Sequence, residues 1–203
     1  MSEKVRLPAV DAEAFEADLS RSVRRGQVVS LAVLDVDNLL SVNEKHGREV
    51  GDRVLALVAK SAAEEAGGTV YRVAADEFAV LMPEVSLEQA FLRMERLRSR
   101  VQSLALPDGA EVTVSIGVAE FPRDAKDAQT LRQVAEAAMF SAKEAGGNRI
   151  SLAPSEEMVM KSSYYPAALL RRLKALAERL NRTESQLLRE ALSDLLRKYD
   201  RTT

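Results

Sequence analysis

The chain has 203 residues, 46% apolar and 30% charged, with a net charge of −2, which suits a soluble globular protein of one to two domains. It has no cysteine, which excludes disulfides and thiolate metal sites and is compatible with a reducing cytoplasm. The N-terminus MSEKVRLPAV has no apolar signal core, and no apolar run is long enough to span a bilayer, so the expectation is a cytoplasmic protein without a membrane partner.

In chain order, Phe15, Leu19 and Val23 share one helical face, predicting an amphipathic helix over 10–25 that ends at Gly26. VVSLAVLDVD (28–37) is a buried strand ending in two acids. Helices over 38–46 and 51–66 follow, separated by Gly47 and Gly51 and closed by Gly67-Gly68. VYRVAADEFAVLM (70–82) alternates on either side of AADE and predicts a hairpin. Ser86 and Gln89 form a capping box for a helix to about Ser103. A strand at 112–121, a helix at 128–145 closed by Gly146-Gly147, and a short strand in NRISLA complete the first part. The order α-β-α-α-β-β-α-β-α-β implies an α/β domain with a mainly antiparallel sheet, not a doubly wound nucleotide fold. No GxGxxG or Walker loop is present.

Residues 154–157 sit in APSEE, which reads as a linker between a domain over 1–153 and a smaller one over 158–203. MVMKSSYYP reads as a short strand, and Pro166 suits the first turn of a helix. Leu169, Leu170, Leu173, Leu176, Ala177 and Leu180 form one apolar stripe, and a second runs from Leu187 to Leu196 behind a Thr183–Gln186 capping box. A strand and two helices in so few residues cannot bury both stripes, so this piece needs a partner, most simply its own copy. Residues 158–203 carry ten Lys/Arg against five Asp/Glu, whereas the rest carries nineteen against twenty-six. Such asymmetry points to an anionic partner for the tail or to a solvated, Arg-rich helix pair.

Asp35 closes one strand and Asp76 sits on the hairpin turn. If those strands are neighbours, the carboxylates converge into a hard-oxygen set for Mg²⁺, completed by waters and substrate phosphates. The alternative is structural: Asp37 or Asn38 caps the helix that follows.

LAVLDVDNLLSVNEKHGREVGDRVL, RVAADEFAVLM, VTVSIGVAEF and AEAAMFSAKEAGGNRI fall in order and together resemble the GGDEF domain of diguanylate cyclases over residues 10–153. That family condenses two GTP into cyclic di-GMP across a dimer, on a palm-like sheet flanked by helices. The resemblance implies that Asp35, Asp76 and the carbonyl of Val36 hold Mg²⁺. Asn43 and Asp52 match the guanine-reading pair, Lys143 a triphosphate-binding lysine, and Arg72, an arginine preceding the signature, is counted with them as nucleotide-binding. Glu77 matches the acid linked to activating the attacking 3′-hydroxyl.

The departures are specific. Ala74 and Ala75 stand where the signature has glycines, Leu40 where it has a phosphate-binding lysine, Gly147 where it has an arginine, and Glu44 where an aspartate is usual. The N-terminal signature is reduced to VDAEAF, and EAGG (65–68) replaces the inhibitory RxxD. An alanine forced left-handed costs roughly 1–2 kcal/mol; otherwise the turn changes shape. Each preorganised cation lost costs on the order of 10²–10³ in rate. The expectation is little or no turnover, with nucleotide binding retained. His46, the only histidine, sits in the loop KHGR and is given no role.

MKSSYYPAALLRRLKALAERLNRTESQLLREALSDLLRKY resembles the ribbon-helix-helix family, a small β-α-α dimerisation and DNA-binding domain. In that family two chains pair their strands into a ribbon that enters the major groove. The resemblance implies that Met160, Ser162 and Tyr164 face bases and Tyr165 the core, a one-residue slip exchanging them for Lys161 and Ser163. The backbone at Thr183, Glu184 and Ser185 would meet a phosphate, joined by Arg182.

Together these readings describe a homodimeric, DNA-binding transcriptional regulator carrying a guanine-nucleotide sensor for GTP or cyclic di-GMP. The alternatives are an active diguanylate cyclase dimerised by its tail and a scaffold that binds no DNA.

Overall fold

The structure, a computed structural model, describes residues 9–104, 111–153, 163–180 and 182–200. The chain divides into two compact units, Met1–Met158 and Val159–Thr203.

In the first unit, α1 (Ala12–Arg24) starts where the Asp11 carboxylate accepts from the Ala14 N–H at 3.0 Å. The element order then follows the sequence pattern: β1 (Val29–Asp37), α2 (Leu39–His46), α3 (Arg48–Ala66), β2 (Thr69–Arg72), β3 (Glu77–Pro83), α4 (Leu87–Gln102), β4 (Thr113–Phe121), α5 (Ala128–Glu144) and β5 (Ile150–Leu152). Helix α3 starts at Arg48 rather than at residue 51, because Gly47 alone makes the break. Ser86 Oγ caps α4 by accepting from the Gln89 N–H at 3.3 Å, and Asp127 caps α5 by accepting from the Thr130 N–H at 2.7 Å.

The sheet order is β2-β3-β1-β4-β5, and every pair is antiparallel except β4–β5. β1 lies at the centre and is buried along its whole length, which is why its sequence is a continuous apolar run rather than an alternating one. One face packs Leu34, Val36, Phe78, Val80 and Met82 against Val54 and Val58 of α3 and Met94 and Leu97 of α4. The other packs Leu31, Val33, Ala79 and Leu81 against Phe15 and Leu19 of α1 and Leu131 and Met139 of α5. Period-two alternation therefore puts Asp35 and Asp37 on the face covered by α5. Gly117 of β4 brings α5 close: a Cβ there would lie 2.0 Å from the Ala135 carbonyl oxygen. This close approach carries Lys143, near the end of α5, to the rim of the sheet.

Neither acid-end residue caps α2, contrary to the structural alternative above. Asn38 occupies the cap position in the left-handed region, φ 58°, without a side-chain cap bond. The Asp37 carboxylate is instead taken by β4 and the α5–β5 turn, as described below.

The second unit contains α6 (Ala167–Leu180) and α7 (Glu184–Asp200). Pro166 lies just before α6, and its carbonyl accepts from the Leu169 N–H at 2.9 Å. Ala177 and Leu187 are buried where the helices meet, while Leu169, Leu170, Leu180, Leu192, Leu195 and Leu196 are exposed. The expected strand is not seen in its described part, since residues 163–166 carry none. A lone strand in one chain has no ladder partner, which in a ribbon comes from a second copy. The remainder of that strand, with Met160, Lys161 and Ser162, and the expected linker at 154–157, fall outside the described residues. Among the described residues no helix is long and apolar enough to cross a membrane.

Candidate functional site

The β1–β3 register sets Asp35 opposite Glu77, and the β1–β4 register sets Asp35 opposite Ser115 and Asp37 opposite Thr113. Beyond the paired strands, the Val36 N–H donates to the Asp76 carbonyl at 3.0 Å. In an antiparallel pair the N–H and C=O of one residue point the same way, so the Val36 carbonyl also faces the Asp76 turn. Strand pairing alone thus brings Asp35, Val36, Asp76 and Glu77 to one end of the sheet, although Asp35 and Asp76 are far apart in sequence.

The turn itself is built without strain. Val73 and Ala74 donate their N–H groups to the Glu77 carbonyl at 3.0 and 3.3 Å. Arg72 folds over it, its Nε donating to the Ala74 carbonyl at 3.2 Å and its Nη2 to the Ala75 carbonyl at 2.5 Å. Among the described residues the non-glycines with positive φ are Asn38, Glu84 and Asn148; Ala74 and Ala75 are not among them. The left-handed cost considered from the sequence is therefore not incurred, and the turn has taken a shape that alanine adopts freely.

Lys143 Nζ lies 2.8 Å from Asp35 Oδ1. Burial pushes the Asp35 carboxyl up, Lys143 pulls it back in part, and the charges of Asp76 and Asp37 push it up again. At Lys143, burial works against the ammonium, but the bond to Asp35 and the charges of Asp35, Asp37 and Asp76 outweigh it and raise the lysine. Glu77 is also raised, first by burial and then by the charges of Glu136 and Asp35, with Arg132 working in the opposite sense. Arg132 donates to Glu136 at 2.6 Å and pairs with Glu16.

Asp37 has a different job. Its oxygens accept from Thr113 Oγ1 at 2.7 Å, Ser115 Oγ at 2.7 Å and the Asn148 N–H at 3.0 Å. The carboxylate ties β1, β4 and the α5–β5 turn together just beside Lys143. Sequence reasoning gave it no such part. The signal was the T-x-S of β4, whose two hydroxyls project from the same face as the second acid of DVD. A cleft of about 410 Å³ opens here, lined by Asp37, Asn38, Thr113, Lys143, Gly146 and Gly147. Asp76, Asn43 and Asp52 are not among its lining residues.

Asn43, half-buried on α2, meets the first turn of α3: a Cβ on Gly51 would lie 1.9 Å from Asn43 Oδ1. The bare Cα of Gly51 lets that amide lie against α3; Asp52, the next residue, is exposed. Leu40, where a lysine was expected from the resemblance, is 71% exposed on α2.

A family model described as diguanylate cyclase, GGDEF domain, matches residues 11–149. The chain belongs to the GGDEF family. A model of the ribbon-helix-helix domain matches residues 161–200. Diguanylate cyclase DosC of Escherichia coli (strain K12) is 31% identical over 144 residues, covering 68% of this chain and 31% of DosC. The uncharacterized protein YhcK of Bacillus subtilis is 32% identical over 134 residues, covering 63% of this chain and 37% of YhcK. The chain thus spans about a third of the length of these curated relatives. The crystal structure of the GGDEF domain of DgcB from Caulobacter crescentus, in complex with c-di-GMP, superposes with a TM-score of 0.69 at 26% identity, covering 75% of this chain and 95% of that one.

GGDEF diguanylate cyclases normally use Mg²⁺. Among the described residues no group of three or more His, Asp or Glu side chains converges into a metal cage. Two carboxylates and a main-chain carbonyl nevertheless fit Mg²⁺, which keeps several waters and takes substrate phosphates as further ligands. A cation already sits on this GGDEF site: the Lys143 ammonium occupies the Asp35 oxygen.

Proposed function

We propose that the protein is a homodimeric DNA-binding regulator whose GGDEF domain binds a guanine nucleotide with Mg²⁺ and turns it over slowly or not at all. The observation that carries this is the uneven survival of the site. Asp35, Val36 and Asp76 meet at the sheet end with Lys143 on Asp35, whereas the exposed Leu40 and the cleft residue Gly147 supply no charge to phosphates. Mg²⁺ would be held by Asp35, Asp76 and the Val36 carbonyl, and would neutralise the phosphates of the bound nucleotide. Asn43 and Asp52 would read the guanine edge, Asp52 accepting from its N–H groups. Lys143 would meet the phosphates, and Arg72, bound to the Ala74 and Ala75 carbonyls, would hold the turn that presents Asp76. Glu77 would act on an attacking hydroxyl only in a site that turns over.

The tail, taken as 158–203 after a linker at 154–157 and the domain at 1–153, would pair with a second copy. Its strand residues Met160, Lys161, Ser162 and Tyr164 would then reach bases, and Arg182, Thr183 and Ser185 at the start of α7 would reach a phosphate. Nucleotide binding alters DNA affinity only if the two protein states bind nucleotide differently.

Equilibrium dialysis with labelled GTP and Mg²⁺, followed by chromatography of the nucleotide, tests the sensor. Retained, unchanged GTP supports it; neither retention nor product leaves a scaffold. DNA binding by the tail is tested by an affinity that falls steeply with salt and disappears on deletion of 158–203.

One observation favours the active cyclase as a second reading: Ala74 and Ala75 sit without left-handed strain in the hairpin turn. Cyclic di-GMP in the dialysed pool, abolished by Asp76→Ala, would establish it.

A further inference from the structure

We propose that Lys143 is an exchangeable internal cation of the GGDEF site: it holds Asp35 in the nucleotide-free protein, keeps bare divalent metal off that carboxylate, and yields it only when metal and nucleotide arrive together. The inference rests on the reading of Asp35 and Asp76 as the Mg²⁺ ligands.

The geometry supplies the reasons. Lys143 Nζ is 2.8 Å from Asp35 Oδ1, so ammonium and metal would compete for one carboxylate as like charges in contact. The Asp35 side chain is only 11% exposed. If Lys143 simply left, a nearly buried carboxylate would stand uncompensated, which is strongly unfavourable. Asp37 is a poorer resting place for the ammonium, because its two oxygens already accept from Thr113, Ser115 and Asn148 and retain about one acceptor site. The Lys143 side chain, by contrast, is 39% exposed, sits on a flexible stem and lines the open cleft. It can swing toward solvent, but only in exchange for another positive charge on Asp35. A metal–nucleotide complex provides both halves of that exchange: a cation for Asp35 and phosphate oxygens for the ammonium. Metal alone provides one half, and nucleotide alone the other. Metal and nucleotide binding are therefore positively coupled through Lys143, and the coupling is reciprocal.

The experiment titrates the full chain with Mn²⁺ and reads free metal by electron paramagnetic resonance, with and without a non-hydrolysable GTP analogue. Wild type, Lys143→Met and Asp35→Asn are compared, each checked for folding by circular dichroism, with Lys143→Gln as a second neutral replacement. An adjacent opposite charge shifts a carboxylate equilibrium by one or more units, so Lys143→Met is expected to bind Mn²⁺ alone about tenfold more tightly than wild type. The analogue should then increase Mn²⁺ affinity strongly in wild type and little in Lys143→Met. If both neutral variants bind Mn²⁺ no more tightly than wild type, while Asp35→Asn abolishes the binding seen with the analogue, the exchange is overturned and the metal reading stands. If wild type binds no Mn²⁺ even with the analogue, the metal reading fails and the exchange falls with it.

Discussion

The Ser115 hydroxyl donates a 2.7 Å hydrogen bond to one oxygen of Asp37 inside the sheet, while Thr113 and the Asn148 N–H hold the other. Ser115 is fully buried and Asp37 nearly so. Replacing Asp37 by alanine leaves two hydroxyls and a main-chain N–H without their acceptor. Hydrogen bonds to a charged group are worth about 1.5–3 kcal/mol each, and buried donors left unsatisfied add to the loss. Ser115→Ala is expected to lower unfolding stability by about 1.5–3 kcal/mol and Asp37→Ala, which loses all three bonds, by more, measured by urea denaturation. An Asp37→Ala protein as stable as wild type would mean that this carboxylate does not fasten the α5–β5 turn.

The signature turn offers a test in the opposite sense from the one that its glycine-free sequence invites. Were Ala74 and Ala75 strained, glycine at either position would stabilise the domain. Since neither has positive φ, glycine only adds freedom to the unfolded chain. Ala74→Gly and Ala75→Gly are each expected to cost about 0.5–1 kcal/mol, seen as a lower melting temperature. A rise in melting temperature would show that the alanines are held in an unfavourable conformation.

Glu77 gives a pH dependence of defined sign. Its carboxyl is raised above 4.5 by burial and by the charges of Glu136 and Asp35. In the folded state it therefore holds its proton to higher pH than in the unfolded chain. Above 4.5 and through the raised value, the folded state binds more protons, so stability falls as pH rises. Asp35, also raised, acts in the same direction. Glu77→Gln removes the ionisation while keeping the shape. It is expected to raise the melting temperature at pH 7, leave it unchanged near pH 4, and flatten the profile between them. Equal effects at both pH values would assign the change to packing rather than charge.

What was legible in the sequence was local. The apolar run 28–37 could only be a strand covered on both faces, and the spacing of Phe15 and Leu19 already put one side of α1 in the core. The site was legible only through the family motifs, because its contacts span the chain. Periodicity carries no information about which strand lies beside β1, so it could not join Asp37 to Thr113 or Asp35 to Lys143. Which of the two outcomes the alanine turn takes, left-handed strain or a changed shape, was open in the sequence for a related reason. Residue type constrains φ only once the turn shape is known, and here Arg72 and the Glu77 carbonyl select a shape that needs no left-handed residue. In the tail, residues 163–166 carry no strand, and the ladder partner of a ribbon strand would belong to a second copy.

The exposed leucines of the second unit make the proposed dimer testable. Leu192 and Leu196 lie one turn apart on α7 and are 58% and 55% exposed. Burying each against a partner copy would contribute about 1.5–3 kcal/mol. Introducing Leu192→Glu with Leu196→Glu into the full chain is expected to convert dimer to monomer in sedimentation equilibrium and to weaken DNA binding at least tenfold. A double variant that stays dimeric would place the dimer contact elsewhere.

Asn43 and Gly51 provide the sharpest test of the guanine-reading proposal. A methyl on Gly51 would start 1.9 Å from Asn43 Oδ1, closer than any real contact, so the amide must rotate away. Gly51 is already helical and has no positive φ, so alanine suits its backbone and improves local helix propensity. Gly51→Ala should therefore change stability little, the clash relieved by one side chain that is only half-buried. The same rotation removes the Asn43 amide from its place against Gly51 and, on the proposed reading, one hydrogen bond to the base. Affinity for the GTP analogue is expected to fall about tenfold, and Asn43→Ala should fall as far without a further loss in the double variant. Preference for guanine over adenine nucleotides should narrow in parallel, since an adenine never used that bond. A Gly51→Ala protein that binds the analogue normally would show that Asn43 does not read the base.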